Sequence, residues 1–204
     1  MNPHFSAAGL IPAIAVSLLF SSSAFAEKPE HRVGFIFEGS FEKAEIVSKL
    51  EGAKKTQLIP AYEWDYGIRL FSKAEWEKRG YEWENFVSIA KKTADTLADK
   101  LEPDLIRDSR GVIDYALVTS EDPFLSSVLM SPLFGKKFKD TLGDQLHVVI
   151  VDRHILYVFP ASGGKLNDYG AAVVEKFKSA ELPVSLEVFQ VDEKGFRVVG
   201  ELER

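Results

Sequence analysis

Tryptophans at positions 64, 76 and 83 lie within one short segment, among several acidic side chains. Aromatic faces stack on sugar rings, and a pair of carboxylates is what the hydrolysis of a glycosidic bond requires. Trp64 and Trp76, with Glu63 and Asp65 on either side of the first, are therefore candidate ligand-binding residues. The segment predicts a platform for a glycan or small ligand or, if two carboxylates converge, a hydrolase site.

The same segment has a purely structural interpretation. Trp83 lies on the apolar stripe of a predicted helix, and Glu75 completes an S-x-x-E capping box that begins at Ser72. Glu82 and Glu84 fall at the first turn of the predicted helix, where the helix dipole favours negative charge. These residues account for part of the cluster without any ligand, so both interpretations stay open.

A second candidate is the run Ser162, Gly163, Gly164 and Lys165, between a predicted strand and a predicted helix. Backbone N–H groups and a lysine at the start of a helix can bind an anion. The run is not a P-loop, because the first glycine of that motif is missing and Leu166 follows the lysine. The alternative is a turn that needs the positive φ of glycine.

A third candidate is the charged triplet Asp152, Arg153 and His154, which interrupts an apolar segment. Such a triplet can contact a partner or supply an acid–base pair. Successive strand residues point to opposite faces, so the three side chains do not converge automatically. Polar residues of an ordinary turn are the alternative interpretation.

The histidines do not predict a metal site. If the first two residues of the triplet form the turn, Val151 pairs with His154 and His147 pairs with Val158. The two imidazoles then lie about 13 Å apart along the ladder, too far to share one ion. His4 belongs to the N-terminal segment discussed below.

No catalytic residue is assigned. The sequence lacks G-x-S-x-G, H-E-x-x-H and the companion motifs of an S-x-x-K serine enzyme. It also has no cysteine, which removes disulfides, thiol catalysis and cysteine-ligated zinc. We therefore expect no cofactor and lean against an enzyme.

Composition narrows the partners. The 204 residues include 25 Lys+Arg and 31 Asp+Glu, for a net charge of −6, and 46% are apolar. This balance is ordinary for a globular protein. It argues against nucleic acid and against an anionic membrane surface, both of which select cationic proteins.

The N-terminus predicts export. An apolar run over residues 7–20 is followed by three serines and Ala24-Phe25-Ala26, an A-x-A cleavage pattern. We expect a signal peptide over residues 1–26 and one α+β domain over residues 27–204, periplasmic or secreted. An uncleaved anchor is the alternative, although the run of about 14 residues is short of the roughly 20 that span a bilayer.

Periodicity predicts the elements that must position these residues. Helices are expected over residues 41–50, from Ser72, over 83–101, from Asp122 and over 166–180. Strands are expected over 33–37 and 112–118, with hairpins over 146–159 and 184–199. Residues 57–70 are expected to be irregular around Pro60 and Gly67, with strand character at Ile68 and Leu70. This order predicts an α+β fold with a mixed or antiparallel sheet, helices packed on one face and a C-terminal hairpin.

The pattern from residue 70 to about residue 200 resembles the YtpQ-like domain of unknown function. The shared features are residues 70–76, the helix through Ala90 and Leu97, Asp114-Tyr115-Ala116, residues 120–129, Gly143-Asp144, the 148–159 hairpin with Arg153 near its turn, and the closing helix and hairpin. The chain departs from the family in being exported and in having Val151 and Asp152 where a proline is expected. The resemblance implies an α+β fold and no particular chemistry.

Three functions follow. The first is a non-catalytic exported module that binds a protein partner or envelope component. The second is a glycan or small-ligand binder that uses the aromatic and acidic segment, and the third is a hydrolase with an unrecognised carboxylate site. The first is favoured because it needs no catalytic constellation.

Overall fold

The computed structural model describes residues 31–163 and 165–203, so the predicted signal peptide over residues 1–26 and Gly164 lie outside the described residues. The strands are β1 (Val33–Gly39), β2 (Ser48–Lys49), β3 (Thr56–Trp64), β4 (Gly67–Leu70), β5 (Asp104–Arg107), β6 (Ile113–Thr119), β7 (Leu146–Asp152), β8 (Ile155–Pro160), β9 (Glu187–Asp192) and β10 (Gly195–Glu201). The helices are α1 (Lys73–Lys78), α2 (Trp83–Lys100), α3 (Pro132–Leu142) and α4 (Lys165–Lys178), with a 3₁₀ helix over Leu125–Met130.

In the described part of the chain, the strands form two antiparallel sheets. In the small sheet, β3 pairs with β1 on one side and with β2 and β4 on the other. The large sheet has the order β10-β9-β7-β8-β6-β5. The α+β class and the C-terminal hairpin of β9 and β10 are therefore confirmed.

The main core lies between the two sheets. It joins Phe37 of β1 and Val148 of β7 to Phe86 of α2 and Phe138 of α3. On the opposite face of the large sheet, residues of β7 and β8 pack on α4 through Val173 and its neighbours. The helices thus divide between the two faces, α2 and α3 on one and α4 on the other. The near-continuous apolar sequence of β7 reflects this burial on both sides.

The helix predicted over residues 41–50 is wrong. Turns and the short strand β2 occupy this segment. Its apolar residues do not share a buried face, because Phe41 is 65% exposed and Val47 is 46% exposed. The amide of Gln57 on β3 donates to the backbone oxygens of Gly39 and Glu42, which fixes the segment as a loop.

The irregular segment predicted over residues 57–70 is an ordered hairpin of β3 and β4. The helix predicted from Asp122 is the 3₁₀ helix, and α3 follows it after the N-cap Ser131. The amphipathic helix predicted over residues 83–101 is confirmed as α2. The capping box of Ser72 and Glu75 is present at the start of α1.

The predicted register of the β7–β8 hairpin is wrong by one residue. Asp152 pairs with Ile155, so the turn consists of Arg153 and His154, and His147 pairs with Phe159. The turn lies one residue later than predicted, which alone would move each partner by two residues, and a bulge between Ile150 and Asp152 takes one of them back. None of the helices in residues 31–163 and 165–203 is both long and apolar enough to cross a membrane.

Candidate functional site

The turn between β3 and β4 carries the most exposed aromatic side chain of the described residues. Trp64 and Gly67 close this hairpin, which leaves Asp65 and Tyr66 as its two-residue loop. Gly67 has a φ of +121°, which a side chain would strain. Tyr66 is 84% exposed. The local backbone therefore presents a tyrosine to solvent at the end of a paired hairpin.

Trp64 holds this exposed ring in place. The two rings meet edge to face with their centroids 5.0 Å apart. The guanidinium of Arg69 lies 5.1 Å from the Trp64 ring, within cation–π distance. Trp64 itself is half-buried against the main core. We name Trp64, Asp65, Tyr66 and Arg69 the aromatic tip.

The two charged side chains of the aromatic tip form no ion pair. Within the described part of the chain, Asp65 forms no hydrogen bond or ion pair, and Arg69 lies over the ring of Trp64 and acts electrostatically on Tyr62 and Glu75. Both side chains are exposed. Tyr, Trp and Arg are the residue types most often responsible for binding energy at protein interfaces. The aromatic tip can therefore supply both apolar contact and charge to a partner.

Glu63 does not belong to this surface. Its carboxylate accepts from Nε of Arg32 at 3.0 Å, and the same guanidinium binds both oxygens of Asp122 at 2.7 and 3.1 Å. Because neighbouring strand residues point to opposite faces, Glu63 faces away from Trp64. Through Arg32, Glu63 connects β3 to Asp122, which precedes the 3₁₀ helix.

Trp76 lies apart from Trp64. Its ring packs against Phe71, Tyr81, Trp83 and Phe86, with centroid distances of 4.8 to 6.2 Å. Among the described residues, the rings of Trp64 and Trp76 share no partner. The structure therefore does not bring the two predicted platform tryptophans together, and Trp76 serves the packing of α1 against α2.

Glu75 is engaged in the cap of α1. Glu75 accepts from the backbone N–H and hydroxyl of Ser72 and from the hydroxyl of Tyr62. These hydrogen bonds, chiefly that from the Ser72 backbone, lower the pKa of Glu75. A general acid needs a raised pKa. Glu75 is therefore not suited to act as the general acid of a hydrolase.

Lys165, the cation of the predicted anion site, is already paired. Its Nζ lies 2.7 Å from Oδ1 of the buried Asp114, and the hydroxyl of Tyr169 donates to Oδ2 at 2.5 Å. The bond to Asp114 raises the pKa of Lys165, and it raises the pKa of Tyr169 to about 12. Ser162 and Gly163 are exposed, and Gly164 lies outside the described residues. A carboxylate therefore stands where the anion was predicted.

The triplet at the β7–β8 tip is bound within the protein. Asp152 accepts from the backbone N–H groups of His154 and Leu182, both at 2.9 Å. Arg153 pairs with the buried Glu38 of β1 at 2.7 Å. His154 Nδ1 lies 2.8 Å from the backbone oxygen of Ser120. All three side chains thus join neighbouring elements, which leaves little of them for a partner.

Glu38 is a buried carboxyl group whose pKa is raised. Burial raises the pKa of Glu38, while the paired Arg153 opposes that shift. A raised carboxyl pKa often marks a catalytic acid. Glu38 is only 3% exposed, however, and it lines neither of the two open depressions described next. Its ion pair connects the two sheets.

The surface of the described residues has two open depressions. One, of about 320 Å³, is lined by Lys55, Glu201, Leu202 and Glu203, and the other, of about 180 Å³, by Arg32, Lys92, Thr93 and Thr96. In the first depression Lys55 is paired with Glu201, and in the second Arg32 is paired with Glu63 and Asp122. Within the described residues, no three His, Asp or Glu side chains are grouped to hold a metal ion.

Comparisons with known protein families, with characterised proteins and with solved structures each found no match. The resemblance to the YtpQ-like domain therefore stays a prediction. Sequence reasoning identified Trp64 and Asp65 but missed Tyr66 and Arg69. The signal was the Asp-Tyr-Gly sequence after Trp64, a polar residue and a glycine around an aromatic residue, which is typical of a hairpin turn.

Proposed function

We propose that this chain is a non-catalytic binding module, exported to the periplasm or secreted, that contacts a protein partner through its aromatic tip. The observation that carries the proposal is the 84% exposure of Tyr66, whose ring rests on Trp64. An exposed tyrosine braced by a half-buried tryptophan loses little conformational freedom when it binds. Export rests on the sequence of residues 1–26 alone.

Two further observations support binding rather than catalysis. The buried acids Glu38 and Asp114 are each paired with a cation that joins them to another element. Two acids of the aromatic and acidic segment also have structural partners, since Glu63 is paired with Arg32 and Glu75 completes a helix cap. Tyr66, in contrast, is an aromatic side chain that the fold leaves largely exposed.

Site-specific photo-crosslinking in the producing cell tests this proposal. A photoreactive amino acid replaces Tyr66 in one full-length variant and Val112 in a matched control. Val112 is 53% exposed at the β5–β6 turn, away from the aromatic tip. We expect a protein crosslink from position 66 that is absent from position 112. Equal crosslinking from both positions overturns the proposal.

Glycan binding is the alternative that the same experiment separates. The exposed Asp65 beside Tyr66 provides the acid and the ring that a sugar needs, although Trp76 and Glu63 are engaged elsewhere. A crosslink from position 66 to a glycan, without a protein crosslink, replaces the protein partner with this alternative.

A further inference from the structure

At one edge of the main core, two buried polar atoms have no hydrogen-bond partner within residues 31–163 and 165–203. They are the hydroxyl oxygen Oγ1 of Thr56 on β3 and the carboxylate oxygen Oε2 of Glu187 on β9. Thr56 is 5% exposed and Glu187 is 2% exposed. A buried polar group without a partner is costly, because burial removes the bulk water that would otherwise bond to it. Both atoms therefore require a partner that these residues do not supply.

The fold turns both side chains into the same space. Alternate residues of a strand face the same side of its sheet, so Thr56 faces the main core as Leu58 does. By the same alternation, Glu187 faces the main core as Phe189 does. The backbone N–H of Lys55, the residue before Thr56, donates to Oε1 of Glu187 at 3.1 Å. Thr56 and Glu187 therefore border one space between the two sheets.

This space lies beside the open depression of about 320 Å³. Lys55, which donates to Glu187, lines the depression, and so does Glu201, which is paired directly opposite Glu187 on β10. Water can therefore reach the space from the surface. Oε1 of Glu187 already accepts from the backbone N–H groups of Lys54 and Lys55, at 2.6 and 3.1 Å. Oε2 is thus the oxygen of this carboxylate that an added molecule would contact.

We propose that this space is the binding site of one buried water molecule, which bridges Thr56 Oγ1 and Glu187 Oε2 and so joins β3 of the small sheet to β9 of the large sheet. Water fits the two groups, because a carboxylate oxygen only accepts while a hydroxyl both donates and accepts. Buried waters typically bond to polar groups that otherwise have no partner. A metal ion is the poorer occupant, since no three acidic or histidine side chains of the described residues are grouped to hold one.

A crystal structure of the purified protein, at a resolution that shows ordered water, tests the site directly. We expect an oxygen atom within about 3.2 Å of both Thr56 Oγ1 and Glu187 Oε2. Thr56→Ser keeps the hydroxyl and should keep this water, whereas Thr56→Val has nearly the same shape without the hydroxyl and should lose it. Thr119→Val is the matched control, because Thr119 is an exposed threonine on β6, and it should leave the water in place.

Urea denaturation supplies a second test in which the sign of the effect decides. If the water is bound, Thr56→Val leaves Glu187 Oε2 without a partner, and the folding equilibrium constant should fall by about fivefold. If no water is bound, the same change removes an unsatisfied buried hydroxyl, and the constant should rise. Thr119→Val should change it by less than about twofold. Far-ultraviolet circular dichroism establishes that each variant is folded.

Glu187→Gln separates water from a cation. The oxygen of the new amide can keep the two backbone N–H donors while its NH₂ group donates to the bound molecule. Water can turn to accept this bond and should remain, whereas a cation would be lost with the negative charge. Three results overturn the inference. They are a wild-type crystal with no water between Thr56 and Glu187, the loss of the bound species in Glu187→Gln, and a Thr56→Val variant more stable than the wild type.

Discussion

The β7–β8 tip and the aromatic tip on β3–β4 are two-residue turns with opposite fates. At the first, Asp152, Arg153 and His154 are all bound to other parts of the protein. At the second, Asp65 and Tyr66 project into solvent. In sequence the first is the richer in chemistry, with acid, base and imidazole together. Chemical variety in a turn is therefore a poor guide to function unless it is known what surrounds that turn.

The difference follows from position in the fold. The β7–β8 hairpin lies in the interior of the large sheet, where its tip meets β1 of the small sheet, the segment before β9 and the residue after β6. Burial forces its polar groups to find partners, because an unpaired buried group is costly. The β3–β4 tip projects from the small sheet, where β3 is the one strand of the described residues that pairs with β4. Asp65 and Tyr66 are exposed to water, so their polar groups need no partner within the protein.

The largest expected effect is the loss of the ion pair at the β7–β8 tip. Arg153→Met leaves Glu38 buried without its cation, and we expect it to reduce the free energy of unfolding by about 3 kcal/mol. Urea denaturation measures this. The matched double variant Glu38→Gln with Arg153→Met removes both charges and should recover most of the loss. A loss below about 1 kcal/mol in the single variant would contradict the structural role of this tip.

A smaller effect is expected at the first residue of the same tip. Asp152→Ala removes the acceptor of two backbone N–H groups, which should cost about 2 kcal/mol of unfolding free energy. Asp152→Asn keeps one amide oxygen as acceptor and should lose about half as much. Urea denaturation of both variants checks the order. Equal stability of both variants and the wild type would show that this carboxylate does not hold the tip.

Features fixed by local contacts could be predicted from the sequence. The capping box of Ser72 and Glu75 and the helix over Trp83–Lys100 depend on residues three or four positions apart. The segment 41–50 begins with a contact that is distant in sequence, from the side chain of Gln57 to the backbone of Gly39 and Glu42, and helical spacing cannot show such a contact. The β7–β8 turn lies one residue later than predicted and is followed by a bulge, and apolar spacing contains no signal for either.

The candidate site was predictable only in part. Trp64 and Asp65 were identified because tryptophan and acid in one segment are unusual. Glu63 and Trp76 were predicted with them. Glu63, however, forms an ion pair with Arg32, which also binds Asp122. These contacts join residues that are distant in sequence, and periodicity within one segment cannot show them. Exposure, which distinguishes Tyr66, is a property of the folded chain.

The pH dependence of stability should separate Glu38 from the other acids. Because folding raises the pKa of Glu38, the folded protein binds more protons than the unfolded one between the ordinary value of 4.5 and the raised value. The stability that Glu38 contributes therefore increases as the pH falls through this interval. Glu42, Asp152 and Arg153, the other charges that act on Glu38, are unchanged in Glu38→Gln.

We therefore expect the unfolding free energy of the wild type minus that of Glu38→Gln to increase as the pH falls through this interval and to be constant above it. Acids whose pKa is lowered, such as Glu75 and Asp114, destabilise both proteins on acidification and cancel in the difference. Urea denaturation at a series of pH values gives the difference. A difference that decreases on acidification would mean that Arg153, rather than burial, dominates the titration of Glu38.

The smallest effect on stability is expected at the aromatic tip. Tyr66→Ala removes a side chain that is 84% exposed and whose one ring contact among the described residues is with Trp64, so the unfolding free energy should change by less than about 0.5 kcal/mol. Trp64→Ala is the matched comparison, and it should cost more because Trp64 packs against the main core. Urea denaturation measures both. A large loss from Tyr66→Ala would show that the exposed ring stabilises the fold, and the contrast between the two turns would then disappear. A negligible loss makes Tyr66→Ala a variant in which any change of crosslinking reports on binding alone.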